Sequence, residues 1–339
     1  MTDDGHGPVL LRPNLVEHFY RGGARIGALR GVEPTSTHQP EEWIASTATR
    51  VDDPAQGLSV TTEGHVLRDL VVEHAAAWTG GLGAWPGDVG LLLKLLDAGQ
   101  RLPVHVHPDR AFAARHLDCA YGKTEAWLVL DAEPGAAVHL GWRDDVDPGE
   151  VARARDLQDG EWLLDQMHRV EVRRGDGILV PAGTPHAIGA GVFVAEVQEP
   201  TDFSILLEWS ITTSGPDEAH LGLGHDLAQR AMHHGATTPE RLAALAVHHD
   251  LDAPSRPSTS LLPAEADPFF RLHLLTDGAA CDAAFAALVV LDGHGTIHGR
   301  GSLEVTAGDV VAVPTGFGDW HVDGDVRVLA ARPGTAAPV

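Results

Sequence analysis

The sequence predicts a mainly β protein built from two barrels of the jelly-roll type, with helical insertions. Short apolar segments separated by Gly and Pro are concentrated in two regions, around 80–210 and 268–336. Many short strands joined by such turns are typical of barrels and jelly rolls. A helical stretch and a Pro/Ser-rich segment lie between the two regions, so we expect an internal duplication of one small β-barrel.

The residues before the first barrel predict an arm, a helix and a buried strand. Residues 1–40 are rich in Gly and Pro and predict an irregular arm with short strands near residues 11–23. Apolar spacing near 3.6 over 60–78 predicts a helix. The apolar segment 89–99 predicts a buried strand, and residues 108–117, which open with Pro and Asp, predict a short helix.

The remaining elements continue the same mixture of strands and helical insertions. They are two strands around a Glu-Pro-Gly turn over 124–142, a helical insertion over 147–172, a series of short strands over 175–199, a helical stretch over 225–249 and a linker over 250–267. Short strands with Gly and Pro turns then resume at residue 269 and continue to the end.

Composition and charge exclude some classes of function. The formal net charge of −24 argues against nucleic-acid binding, which needs a basic surface, and disfavours anionic membranes. The sequence has no apolar run long enough to span a membrane and no secretory signal pattern, so we expect a cytoplasmic protein. Cys119 and Cys281 are too few for a disulfide framework and lack metal-binding spacing.

The two lysines are a sharper signal. Of the 24 basic residues only Lys94 and Lys123 are lysines, a bias typical of a GC-rich genome that uses arginine wherever it can. Arginine cannot replace lysine where a compact, titratable ammonium is needed. Both lysines lie close in sequence to a pair of histidines, so we expect both to have a functional role.

That pair of histidines begins a candidate metal site. His105 and His107 flank Val106, and side chains two apart on a strand point to the same face. His186 follows a strand and a Pro-Ala-Gly turn in the spacing Gly-x5-Pro-x-Gly-x2-His that starts at Gly175. Three imidazoles with one carboxylate would suit a divalent first-row metal ion.

These spacings match two motifs of the cupins, which are double-stranded β-helix barrels that hold a metal with three His and one Glu. The stretch from Gly99 through His105 to His107 resembles the start of the first motif, and residues 175–186 resemble the second. The resemblance implies that Glu125, in the segment GKTEAW, is the carboxylate ligand. It also implies a bound Zn²⁺ by default, with Fe²⁺ and Mn²⁺ as alternatives.

The second barrel repeats the scaffold without the ligands. Residues 308–321 have the same Gly and Pro spacing, but Asp319 stands where the His would be. The preceding strand has no His-x-His pair, and we interpret His294 and His298 as surface or turn histidines. The predicted domains are therefore an arm with a metal-binding catalytic cupin (1–215), a helical segment and linker (216–267), and a cupin without metal ligands (268–339).

Beyond the cupin motifs, the chain resembles the type I phosphomannose isomerases. The resemblance lies in LLLKLLDAGQRLPVHVHPD, YGKTEAWLVLDAEPGAAVHLG and GDGILVPAGTPHAIGAGVFVAEVQ, with PEEWIAS (40–46) similar to an N-terminal segment of the family. It covers about 40–205 well and the rest at the level of the fold. It implies a zinc enzyme that interconverts mannose 6-phosphate and fructose 6-phosphate, so the expected partner is a small-molecule sugar or sugar phosphate.

The resemblance also implies roles for residues around the metal. Lys94 matches a lysine that helps to hold the substrate phosphate, and Lys123 matches an active-site lysine that is a candidate for proton transfer. Glu196 and Asp202 match acidic residues that line the site and are the alternative candidates for the catalytic base. His105 stands where the family usually has Gln, and imidazole is at least as good a metal ligand.

Two departures from the family concern phosphate binding. Pro103 replaces a serine and Leu206 falls on the position of an arginine, so two of three expected phosphate anchors are missing. We therefore predict a sugar isomerase that prefers an unphosphorylated aldose, unless Arg21 or Arg25 supplies the missing charge. The alternatives are a non-catalytic sugar-binding or regulatory cupin and a different cupin enzyme, an epimerase or a dioxygenase.

Overall fold

The computed structural model describes residues 6–336, and within them the chain is mainly β, as predicted. In chain order the strands are β1 (Val9–Leu10), β2 (Leu15–Val16), β3 (Glu41–Ile44), β4 (Leu92–Asp97), β5 (His105–Val106), β6 (Glu125–Ala132), β7 (Ala137–Trp142), β8 (Met167–Glu171), β9 (Asp176–Val180), β10 (His186–Ile188), β11 (Val192–Gln198), β12 (Ile205–Leu206), β13 (Ala246–His248), β14 (Ser258–Ser260), β15 (Phe270–Leu275), β16 (Ala280–Cys281), β17 (Ala286–His298), β18 (Ser302–Thr306), β19 (Val310–Val313), β20 (Trp320–Asp323) and β21 (Val326–Pro333).

The helices are short and lie between the strands. They are α1 (Arg25–Arg30), α2 (Leu67–Glu73), α3 (Ala75–Thr79), α4 (Arg110–His116), α5 (Pro148–Leu157), α6 (Gly160–Gln166), α7 (His225–Ala228) and α8 (Pro239–Ala244), with 3₁₀ turns at Gln229–Ala231, Ala264–Ala266 and Thr315–Phe317. None of the helices in 6–336 has the length and apolar character that a bilayer crossing requires.

Two sheets provide the residues of the candidate site. One has seven strands in the order β13-β9-β6-β11-β4-β3-β2, and the other has five in the order β12-β5-β10-β7-β8. The neighbouring strands for which a register is recorded in these sheets are antiparallel, so side chains opposite each other share a face. In the larger sheet this alignment places Lys94 beside Glu196 and Glu196 beside Trp127.

The third sheet is formed by strands from the C-terminal part of the chain and one strand from the arm. Its main path runs β1-β19-β17-β21-β15-β14, and β1 pairs with β19 through Val9 and Ala312. Asp319, which stands where a ligand would be, accepts a hydrogen bond from the amide of Ala283 at 2.9 Å. The three-part domain division stays a prediction, and its outermost residues, 1–5 and 337–339, lie outside the described residues.

One hydrophobic core joins the seven-stranded sheet to the C-terminal sheet. In β4, Leu93 and Leu95 lie on the face opposite to Lys94 and belong to the same buried cluster as Leu272 and Leu329. All of β4 is buried because its second face is covered by the polar site. This explains why the segment reads as an almost continuous apolar run with a single lysine in it.

Several predicted elements are correct and others are not. The short helix over 108–117 and the two strands over 124–142 are confirmed as α4, β6 and β7. The helix over 60–78 is shorter, because Gly64 has a left-handed backbone with φ of 99° and the helical residues begin at Leu67. The last part of the helical insertion is strand β8, which pairs with β7.

The stretch 225–249 was predicted to be helical, and this is correct for only about half of it. It contains the short helices α7 and α8, a 3₁₀ turn and the strand β13. The side chain of Thr238 caps the start of α8 by accepting a hydrogen bond from the amide of Arg241. After α8 the chain continues as β13, which pairs with β9. The linker contains β14, and the arm contains the helix α1, which its sequence did not indicate.

The shared core predicts that the C-terminal sheet is needed for stability. A chain truncated after Asp250 loses β14–β21 and exposes the apolar face of β4 and its neighbours. We expect it to aggregate and to bind a hydrophobic dye in size-exclusion and fluorescence measurements. A monomeric truncated chain that unfolds at the same temperature as the whole chain would contradict the shared core.

Candidate metal centre

Three histidines from two motifs converge inside the protein. His105 begins β5, His186 begins β10, and these two residues lie opposite each other in the antiparallel pair. His107 follows β5, and the ring centroids of the three imidazoles lie 4.1–4.9 Å apart. One ring nitrogen from each lies within 4.8 Å of those of the other two, and all three side chains are buried. The structure therefore brings together the three histidines that the sequence spacing singled out, and their role as metal ligands stays a prediction.

Backbone carbonyls fix the orientation and tautomer of each ring. The Nδ1 atoms of His105, His107 and His186 lie 2.8, 2.6 and 2.8 Å from the carbonyl oxygens of Pro103, Phe203 and Thr184. A carbonyl can only accept, so each Nδ1 carries the proton and each neutral ring has its lone pair on Nε2. This arrangement is the usual preparation of a histidine as a metal ligand.

Burial keeps the rings of His105 and His107 neutral. It lowers the pKa of His105 well below its ordinary value, and the neighbouring His186 and His107 add to that effect. Burial also lowers the pKa of His107 to about 3, with a further contribution from the charge of Lys123. Neutral imidazoles are the form that binds metal ions.

Glu125, the first residue of β6, brings a carboxylate to the same point. Its Oε2 lies 2.9 Å from His107 Nε2, and its Oε1 lies 3.3 Å from His186 Nε2. Trp127 Nε1 donates a hydrogen bond to Oε1 at 3.0 Å. Burial raises the pKa of Glu125, but the charge of Lys123 and the contacts with the two histidines outweigh it and hold the pKa well below its usual range.

The centre is therefore rich in electron pairs and poor in protons. The Nε2 atoms of His107 and His186 are buried and have no hydrogen-bond partner among the described residues, and the charged partner of the buried Glu125 Oε2 is the Lys123 ammonium at 3.2 Å. Lone pairs facing a carboxylate at about 3 Å repel each other unless a cation lies between them. The residues present fit a divalent cation.

Two lysines and a second glutamate continue from Glu125 along the face of the seven-stranded sheet. Lys123 Nζ lies 3.2 Å from Glu125 Oε2 and 4.0 Å from Glu196 Oε1. Lys94 Nζ lies 3.6 Å from Glu196 Oε1. Burial, together with the charge of Glu125, raises the pKa of Glu196 to about 7, although both lysines oppose the shift.

Glu41 ends this series of charges, and the sequence did not single it out. Its Oε2 lies 3.2 Å from Lys94 Nζ, and it accepts hydrogen bonds from Tyr20 at 2.6 Å and Trp43 at 2.7 Å. Burial lowers the pKa of Lys94, but Glu41 and then Glu196 outweigh it and raise the pKa above its usual value. The only sequence signal for Glu41 was its place in the segment PEEWIAS.

A small cavity of about 30 Å³ connects these groups. It is lined by His18, Phe19, Tyr20, Glu41, Lys94, Leu96, Leu102, Pro103, His105, Lys123, Glu125, Ile188, Glu196, Asp202 and Ser204. Asp202 accepts a hydrogen bond from the amide of Val51 at 3.4 Å and lines the same cavity as Glu196. A space of this size holds a water molecule or two, so a sugar enters only when lining side chains move apart.

The residues considered for phosphate binding are placed differently. Pro103 lines the cavity, but Leu206 does not; it is buried on β12 opposite His105. Arg25 is held by Asp97 and Asp131 at 2.9 and 3.0 Å, so its charge is already paired. Arg21 donates a hydrogen bond to Gln100 at 2.9 Å on the surface.

The chain is similar in sequence to several isomerases, although no family model matches it. A protein of Streptococcus mutans named mannose-6-phosphate isomerase is 27% identical over 338 residues, which cover 96% of this chain and 98% of the relative. A protein of Bacillus subtilis named probable mannose-6-phosphate isomerase is 28% identical over 335 residues, which cover 96% and 99%. These relatives confirm the resemblance indicated by the motifs.

The fold is shared with solved structures of the same kind. The mannose 6-phosphate isomerase of Bacillus subtilis superimposes with a TM-score of 0.72 at 22% identity, covering 96% of this chain and 99% of the other. A putative mannosephosphate isomerase from Archaeoglobus fulgidus gives a TM-score of 0.72 at 17% identity, covering 99% and 100%. These likenesses establish a fold common to these proteins.

The arrangement of lone pairs predicts the effect of removing one imidazole. His186→Ala should lose most of the bound metal, since metal affinity should fall by at least the 10–100-fold seen when supporting residues are removed. Metal content after dialysis, measured by elemental analysis, tests this expectation. His139→Ala is the matched control, because His139 lies on β7 opposite Ala187 and should leave the metal content unchanged. A His186→Ala protein with a full equivalent of metal would show that the ligands are others.

Proposed function

We propose that this chain, which resembles the type I phosphomannose isomerases in sequence and fold, is a metal-dependent aldose–ketose isomerase. The observation that carries the proposal is the buried row of groups that joins three imidazole lone pairs and Glu125 to Lys123 and Glu196. An isomerase of this type needs a Lewis acid and a base within reach of two adjacent carbons. The mannose-6-phosphate isomerase names of the relatives support the same reaction class.

His105, His107, His186 and Glu125 would hold the metal ion, and we propose Zn²⁺, with Fe²⁺ and Mn²⁺ as alternatives. Three imidazoles and one carboxylate with no thiolate suit any of these ions. When bound there, the ion would supply Lewis-acid polarisation of sugar oxygens. The chain itself fixes the orientation of the three imidazole rings through the backbone carbonyls of Pro103, Phe203 and Thr184.

The proton moves between C2 and C1 through a cis-enediol, and this step needs a base near the reacting carbons. Lys123 and Glu196 lie 4.0 Å apart beside the ligand Glu125, so either can exchange a proton with a sugar at this point. The pKa of Glu196, about 7, is the range that suits a general base at neutral pH. Asp202 lies in the same cavity and is the third candidate.

The charges of the site favour an unphosphorylated sugar. Lys94, the expected phosphate anchor, is fully buried between Glu41 and Glu196, so its charge is already neutralised. The cavity also contains Asp202 and the apolar Pro103. A phosphate dianion in this place would face carboxylates without a free cation, whereas a hydroxyl can hydrogen-bond to either kind of group.

The proposed substrate class can be tested by turnover. We expect kcat/KM for free mannose, or for a related neutral aldose, to exceed that for mannose 6-phosphate, with ketose formation measured for both series of sugars. A clear preference for mannose 6-phosphate would mean that an unidentified cation reaches the phosphate. If no aldose is converted to a ketose, the result would favour the alternative hypothesis of a non-catalytic sugar-binding or regulatory protein.

Two variants identify the base. Removal of a positioned acid or base usually lowers the rate about 10²–10⁴-fold. If Lys123 is the base, Lys123→Met should lower kcat by about this factor, and if Glu196 is the base, Glu196→Gln should do so. The pKa of Glu196 is about 7 without a metal ion, and a nearby divalent cation would lower it. If Glu196 is the base, the fall of kcat/KM on the acid side of the pH profile should therefore lie at or below about pH 7. This fall should be absent in Glu196→Gln. Metal content is the control for both variants. Full turnover in either variant excludes that residue.

A further inference from the structure

His18 is a polar residue of the arm that lies inside the site cavity without a defined role. It follows β2, its amide donates a hydrogen bond to the carbonyl of His38 at 2.8 Å, and its side chain is only 8% exposed. The ring packs against Phe19 and Tyr20 with centroids 4.2 and 4.8 Å away. The arm therefore holds the imidazole firmly at the cavity wall.

The hydrogen-bonding capacity of this imidazole is unused. Its Nδ1 is buried and has no hydrogen-bond partner among residues 6–336. Its Nε2 lies 3.6 Å from Glu41 Oε1, longer than a hydrogen bond. An unpaired buried polar atom is unfavourable, and a ligand that hydrogen-bonds to it in the cavity relieves this.

His18 lies beside Glu41, at the end of the series of charged side chains that is farther from Glu125 and the metal centre. His18 contacts Glu41, and Glu41 is separated from Glu125 by Lys94, Glu196 and Lys123 in turn. His18 also shares the cavity with Pro103, the position where the family resemblance would place a phosphate-binding serine. A sugar whose reacting carbons lie at the metal would direct its other end towards His18.

We infer that His18 binds a hydroxyl group at the end of the sugar remote from the metal and selects a neutral sugar over a sugar phosphate. This inference rests on the proposed isomerase function. A neutral imidazole offers one N–H and one lone pair, which match a hydroxyl that both donates and accepts. A phosphate dianion offers only acceptors and would lie next to Glu41 and Asp202.

The electrostatics of the cavity agree with a neutral ring. Burial lowers the pKa of His18 to about 4, and although Glu41 and Asp202 raise it, the charges of Arg50 and Lys94 act in the same direction as burial. The ring is therefore uncharged at neutral pH and cannot replace the missing phosphate anchors. Its contribution is hydrogen bonding alone.

Substitutions at position 18 test this role. His18→Leu keeps an apolar side chain of similar bulk but removes both polar atoms, and we expect KM and the dissociation constant for free mannose to rise about tenfold, as for one lost buried hydrogen bond. The ratio of kcat/KM for free mannose to that for mannose 6-phosphate should fall by the same factor. His18→Asn, which keeps a donor and an acceptor, should recover most of the loss.

The controls separate this inference from the proposed reaction. His38→Leu changes an arm histidine whose side chain is outside the cavity lining and should leave both constants unchanged. Metal content should be equal in all four proteins. If the wild type binds free mannose calorimetrically but forms no ketose, and His18→Leu weakens that binding, the isomerase proposal fails and the role of His18 stands. If His18→Leu alters neither the dissociation constant nor the sugar preference, the inference about His18 is overturned.

Discussion

The rest of the site depends on a buried row of alternating charges, which runs from Glu41 through Lys94, Glu196 and Lys123 to Glu125. Each of these five side chains is at most 5% exposed, and successive members lie 3.2–4.0 Å apart. A buried charge costs several kcal/mol unless a partner of opposite sign compensates it. The row can exist only because β3, β4, β11 and β6 lie side by side in one register.

This row connects the cluster of imidazoles at one end of the site with the hydrogen-bonded Glu41 at the other end. At one end Glu125 faces imidazole lone pairs that need a cation, and at the other end Glu41 is satisfied by Tyr20 and Trp43. The two lysines are compact enough to fit between carboxylates on a fully buried sheet face, where the planar guanidinium of arginine would need more room and more acceptors. This explains why lysine occurs at these two positions in a chain whose other Lys/Arg residues are all arginines.

The sequence indicated the cluster of three histidines better than the remainder of the cavity. The three histidines of the cluster were recognisable because a two-residue spacing on a strand and a Gly-Pro-Gly turn fix where imidazoles point. His18, Tyr20 and Glu41 come from the arm and from β3, where no periodic pattern or motif spacing relates them to the metal, so only the folded chain brings them together. The helical prediction over 225–249 is wrong at its end for a related reason, since pairing of β13 with β9 overrides the local helical pattern there. Leu206 falls on the position where the family resemblance would place a phosphate-binding arginine, yet it pairs with His105 and is not part of the cavity lining.

The central claim is that His105, His107 and His186 present their Nε2 lone pairs, with Glu125, to one divalent cation. Anomalous diffraction from crystals of the purified protein, recorded at the zinc, iron and manganese edges, tests it most directly. We expect one strong peak bonded to the three Nε2 atoms and to the Glu125 carboxylate, at the zinc edge if Zn²⁺ is the native ion. A fully occupied protein with its peak elsewhere, or crystals grown with these metals that show no peak between the three imidazoles, would contradict it.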